Sequence, residues 1–154
     1  MPGLTVADVV GERRSDELIT VPAAAMVAEA VRVMAQREIG AVLAMTEDGL
    51  VAGVFSERDL LVRVVDAGLD PARTPLSLVM TRDVRFVSPG TSTEAALSLM
   101  HVLGFRHLLV IDGPRVFGLV SMRDLVFQMI RRGEGRFEAA VRGESAAGPQ
   151  GVQS

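Results

Sequence analysis

A seven-residue stretch occurs twice in this chain, and that repeat constrains the fold more than any other feature. The first copy is Gly53-Val54-Phe55-Ser56-Glu57-Arg58-Asp59 and the second is Gly118-Leu119-Val120-Ser121-Met122-Arg123-Asp124. The Gly, two apolar residues, the Ser, the Arg and the Asp recur at a constant offset of 65 residues. Self-similarity at a fixed spacing means one structural unit used twice. The match continues past the Asp: Leu60, Leu61, Val64 and Val65 align with Leu125, Val126, Met129 and Ile130. Apolar residues at i, i+1, i+4 and i+5 form one stripe of a helix. Each copy therefore reads as a strand end, a Ser at the junction, and an amphipathic helix.

The junction supports two readings. Ser-x-x-Asp resembles a capping box, with the Ser oxygen accepting from first-turn amides and the acid suiting the helix dipole. The same geometry also makes an anion site, with a carboxylate placed to hold a ribose diol. A single copy favours the cap. The duplication, with Arg beside the Asp each time, moves the balance towards a ligand, because a cap does not require that Arg.

Length and composition narrow the classes. A chain of 154 residues makes one compact unit or two small ones. At 49% hydrophobic residues, with six Phe and no Trp or Tyr, the core must be aliphatic. There is no Cys, which excludes disulfides and thiol chemistry. The apolar runs are too short for a membrane span, and no charged-then-apolar leader opens the chain, so a cytoplasmic protein is expected. Net charge is −3 and every basic residue is Arg, which argues against a nucleic-acid binder. The missing Lys fits genomic base composition. Two His, no Cys, no metal-ligand cluster and no glycine-rich phosphate loop leave no nucleophile–base pair, so the expectation is not an enzyme.

In chain order, Leu4 to Val10 is a helical lead-in and Gly11 to Glu17 a charged loop. Leu18 to Val21 is a strand stopped by Pro22, and Ala23 to Arg37 a helix burying Val27, Val31 and Met34. Gly40 to Met45 is a strand, Glu47-Asp48-Gly49 a hairpin turn, and Leu50 to Phe55 the return strand into a helix ending near Ala67. Gly68 to Pro75 is a linker. The second half repeats the order: Leu76 to Met80 matches Val6 to Val10, and Val84 to Val87 is the short strand. Thr91 to Leu103 is a helix with Ala96, Leu97, Met100 and Leu103 inward. His107 to Ile111, the turn Asp112-Gly113-Pro114, and Val116 to Val120 lead into a helix ending near Arg132. The divisions are thus 1–70, 71–133, a short helix over 134–142, and a disordered tail over 143–154.

Two tandem β-α-β-β-α units, each ending in Gly-apolar-apolar-Ser-x-Arg-Asp, resemble a pair of cystathionine β-synthase (CBS) domains, the arrangement called a Bateman module. Val79-Met80-Thr81, Val87-Ser88-Pro89 and Phe105-Arg106-His107-Leu108-Leu109-Val110 extend the resemblance, which covers roughly Leu4 to Arg132. It is nearest to stand-alone bacterial CBS pairs. The resemblance implies an α+β fold in which two units pack with pseudo-twofold symmetry and leave clefts for adenosine-containing ligands: AMP, ADP, ATP, NAD or S-adenosylmethionine. It implies a homodimer, a regulatory nucleotide with no catalytic cofactor, and a protein target in trans.

Carried over by the same resemblance, Asp59 and Asp124 are ribose candidates, with Ser56 and Ser121 beside them. Thr20, Val21, Phe86 and Val87 are first-strand candidates for the adenine, and Gly40, Ala41, Val42, His107 and Leu108 second-strand candidates. Arg58, Arg106, Arg123 and His107 are phosphate candidates. Arg106 also reads as a solvated edge charge, His107 as a neutral strand histidine, and His101 as plain surface. The first half has Gly40-Ala41 where the second has Arg106-His107, so unequal sites are expected. The competing reading is an interaction module whose two junctions are caps only, with no nucleotide.

Overall fold

The computed structural model describes residues 3–12 and 19–133. The expectations for most of the charged loop, for Leu18, for 134–142 and for the tail lie outside the described residues. The chain is α+β, with two three-stranded sheets whose strands lie side by side in sequence order.

Helix α1 spans Val6–Glu12, so it takes in Gly11, which was expected in the loop. Its start is closed by Thr5 and Asp8: the Thr5 amide donates to Asp8 Oδ2 at 2.9 Å. Strand β1 is Thr20–Pro22 and runs parallel to β2, Ala41–Met45. Pro22 is the last strand residue, opposite Met45, rather than a stop before it. An edge strand tolerates Pro because one side of its backbone needs no ladder bond.

Helix α2 is Val27–Arg37, four residues shorter at its start than the Ala-rich run suggested. The Ala25 amide closes a turn onto the Pro22 carbonyl, and the Val27 amide is taken by Thr74 O, so the backbone bonds of this stretch go elsewhere. Its inward face is Val27, Ala30 and Met34, with Val31 half-buried. Strand β3, Val51–Ser56, pairs antiparallel with β2 through the Gly49 turn (φ +85°). After it come a helical turn α3, Glu57–Asp59, and a π-helical stretch, Leu60–Val65, with bonds such as Asp66 N–H to Leu61 O. The spacing of its apolar residues fits a wide helix as well as an ordinary one, so periodicity alone does not reveal it.

A 3₁₀ turn, Leu76–Leu78, opens the second half. Strand β4 is Phe86–Val87 only, shorter than expected. Helix α4, Thr93–Leu103, is capped by Ser92 and closed by Gly104 (φ 78°). Leu103, expected inward, is 38% exposed. Strands β5, His107–Asp112, and β6, Arg115–Ser121, form a hairpin, and α5 is Met122–Arg132.

Packing divides the chain differently from the repeat. One compact unit holds residues 19–86; the other holds residues 3–12 together with 87–133. The lead-in segments are exchanged. Val6 and Val9 bury into the core of Val87, Ala96, Met100, Leu108, Val110, Val120 and Leu125. Leu76, Val79 and Met80 bury into the core of Val21, Val27, Val42, Phe55 and Val64. A boundary at residue 70, drawn from linker composition, therefore separates Leu76–Met80 from the core they complete.

Candidate functional site

Each strand–helix junction is built the same way. In the first, Ala41 lies opposite Ser56, and the Glu57 amide donates to Gly40 O at 2.9 Å. In the second, His107 lies opposite Ser121, and the Met122 amide donates to Arg106 O at 2.9 Å. Pairing thus brings Gly40, Ala41, Ser56 and Asp59 to one sheet end, and Arg106, His107, Ser121 and Asp124 to its counterpart. Both junctions form full capping boxes. The Asp59 amide donates to Ser56 Oγ at 3.2 Å, and the Ser56 amide donates to Asp59 Oδ2 at 3.0 Å. The Asp124 amide donates to Ser121 Oγ at 3.0 Å, and the Ser121 amide to Asp124 Oδ2 at 3.1 Å.

The remaining sequence candidates divide by burial. Val21 and Val42 belong to the core of their unit, and Val87 and Leu108 to that of the other, so their side chains are committed to packing. Strand alternation puts His107 on the sheet face opposite Leu108. His107 is half-buried. Thr20 and Phe86 are exposed, and Thr20 pairs with Leu43, two residues along β2 from Ala41. Arg58, Arg106 and Arg123 are exposed.

The two junctions differ chemically. A Cβ on Gly40 would lie 3.5 Å from the Glu57 carboxyl carbon, so an acid side chain lies over the first junction. Its counterparts at the second are Met122 and the basic pair Arg106-His107. Asp59 is also drawn into contacts that the sequence reading missed. Thr81 Oγ1 donates to Asp59 Oδ1 at 3.0 Å, and Arg63 Nε lies 3.7 Å from the same oxygen. The available signal was Thr81 in the Val79-Met80-Thr81 motif, but nothing local to that motif points to residue 59.

Among the described residues no group of three or more His, Asp or Glu is placed to hold a metal, and no helix is long and apolar enough to cross a membrane.

Two three-stranded α+β units with matched Ser-x-x-Asp junctions define a tandem-repeat class. The chain belongs to the CBS domain family, which matches residues 6–66 and 76–131. It is 33% identical over 141 residues to the CBS domain-containing protein CBSCBSPB1 of Arabidopsis thaliana, covering 91% of this chain but 25% of that one. The chain thus spans about a quarter of the length of that curated relative. A solved CBS-domain protein from Burkholderia ambifaria superposes with a TM-score of 0.77 at 35% identity, over 82% of this chain and 94% of its own. A CBS domain protein from Pyrobaculum aerophilum, solved in complex with AMP, shares the fold with a TM-score of 0.70 at 20% identity, over 94% of this chain and all of its own.

Proposed function

We propose that the chain is a non-catalytic regulatory module that binds an adenosine-containing nucleotide, AMP being the first candidate, at the second junction. The observation that carries this reading is the hydrogen-bonded register that sets Arg106 and His107 against Ser121 and Asp124. A carboxylate at a helix start can accept two ribose hydroxyls. Arg106 and Arg123, both exposed, supply cations suited to phosphate. The first junction has Glu57 over Gly40 instead, which disfavours an anion. The AMP complex of the Pyrobaculum protein supports the choice of ligand, because that protein uses the same fold.

The chain has no Trp or Tyr, so its own absorbance at 280 nm is very low. Nucleotide carried through purification should dominate the spectrum near 260 nm and leave on denaturation, where mass spectrometry identifies it. Flat titrations of stripped protein with AMP, ATP and NAD would remove this reading.

The module acts as a homodimer that passes its state to a protein target in trans. Leu61 and Val62 are 61% and 43% exposed, and their repeat counterparts Val126 and Phe127 are 40% and 57% exposed. The same apolar pair shown by both repeats suits an isologous contact, in which like surfaces meet. Nucleotide would shift the balance of arrangements by no more than its difference in affinity for them.

The completed capping boxes favour one second reading: an interaction module whose junctions only start helices. Asp124→Ala separates the two. On the nucleotide reading binding is lost; on the cap reading there is no binding to lose, and helix destabilisation of about 1 kcal/mol is the whole effect.

A further inference from the structure

Helices α2 and α4 are repeat counterparts of equal length. The first amide of each is taken by a lead-in carbonyl: Val27 by Thr74 O at 2.8 Å, and Thr93 by Leu4 O at 3.0 Å. Val27 is fully buried and packs in an apolar core, and Thr93 is 1% exposed. A hydroxyl thus stands where the other copy has a methyl group. Among the described residues the Thr93 hydroxyl has no hydrogen-bond partner. Burying a hydroxyl without a partner costs stability, and a Val at this position would avoid that cost.

Thr93 lines a cavity of about 210 Å³ together with Gly3, Leu4, Glu94, Met129 and Arg132. All six belong to the unit that holds residues 3–12 and 87–133. Leu4 and Met129, both half-buried, give the cavity an apolar wall. Two opposite charges stand beside it. A Cβ on Gly3 would lie 3.9 Å from Glu94 Oε1, so that carboxylate leans over the lead-in. The Arg132 charge is felt by Asp8, whose Oδ2 already accepts from the amide and hydroxyl of Thr5. Among the described residues neither Glu94 nor Arg132 forms an ion pair, with the other or with a third group. The first copy has none of these groups: the counterparts of Thr93, Glu94 and Arg132 are Val27, Ala28 and Ala67. Three polar groups enter together around one cavity, and the fold spends none of them.

We propose that this cavity binds a small aliphatic α-amino acid. The ammonium of the ligand pairs with Glu94 and its carboxylate with Arg132, while the Thr93 hydroxyl donates to the carboxylate. Leu4 and Met129 take the aliphatic side chain. A zwitterion suits two unpaired opposite charges better than a simple ion, because an anion would face Glu94 and a cation would face Arg132. Cavities for drug-sized ligands start at roughly 300 Å³, so this one suits a smaller molecule. The site shares no residue with either junction, and it stands or falls apart from the nucleotide reading.

Calorimetric titration of the full chain with L-leucine tests this. The controls are isocaproate, which is leucine without its ammonium, and isoamylamine, which is leucine without its carboxylate. Leucine should bind saturably, and each control at least about tenfold more weakly, since each loses a charge-assisted pair. Glu94→Gln and Arg132→Met should each weaken leucine by about the same factor. Thr93→Val keeps the shape of the buried side chain. It should weaken leucine at least about fivefold, while the unfolding midpoint of ligand-free protein holds or rises, because no partner group is orphaned. Three results would each overturn the proposal. They are no saturable leucine binding, a control that binds as tightly as leucine, and leucine affinity left intact by any of the three variants. A Thr93→Val midpoint lowered by roughly 3 °C or more would overturn it too, by showing that the hydroxyl serves the fold.

Discussion

A β-carbon at residue 53 would sit 2.5 Å from the Thr81 carbonyl oxygen and 3.1 Å from the Met80 side chain. Backbone cannot yield there, because Val54 and Thr81 are bonded to each other in both directions. Gly53→Ala should therefore cost about 2 kcal/mol or more, read from urea denaturation. Ser121→Ala should cost about 1 kcal/mol through loss of the cap. The repeat marked both residues, and the Ser-x-x-Asp spacing named the capping partners correctly. It did not show what presses on Gly53, nor that Asp59 would be claimed by Thr81. Those contacts join residues far apart in sequence, and a short motif carries no record of its long-range neighbours.

At the scale of elements, strand and helix identity was legible wherever apolar spacing was regular: β2, β5 and β6 lie within a residue or two of their expected ends. The start of α2 and the extent of β4 were not, because tertiary backbone bonds, not propensity, set them. The π-helical character of Leu60–Val65 was equally hidden, since a four-residue spacing fits both helices. If the exposed faces of that helix and α5 meet a second copy, Phe127→Asp should convert dimer to monomer in analytical ultracentrifugation while the fold persists. Helix α1 carries its own pH signature. The Thr5 amide, and then the Thr5 hydroxyl, hold the Asp8 carboxyl below the ordinary value of 3.8. A depressed folded value means the contribution is present above the unfolded value and fades as pH falls through the folded one. The difference in melting midpoint between wild type and Asp8→Asn should thus be constant near neutrality and shrink as pH falls below 3.8.

For the whole molecule, the tandem repeat, the α+β class and the family were all written in the sequence; the exchange of lead-in segments was not. A repeat shows which residues correspond, but not which core each copy of the lead-in joins. Removing residues 1–12 takes Val6 and Val9 from the core that contains Leu108 and Val120. Hydrogen exchange should then quicken across residues 107–121 and hold steady across residues 41–56. Function turns on whether the acid of the second junction grips a sugar. Calorimetric titration of stripped protein with AMP and with its 2′,3′-dideoxy analogue asks this directly. Saturable AMP binding is expected, with affinity at least about tenfold weaker for the analogue, since each hydrogen bond from a hydroxyl to a carboxylate contributes about 1.5–3 kcal/mol. Equal affinity for the two would contradict it.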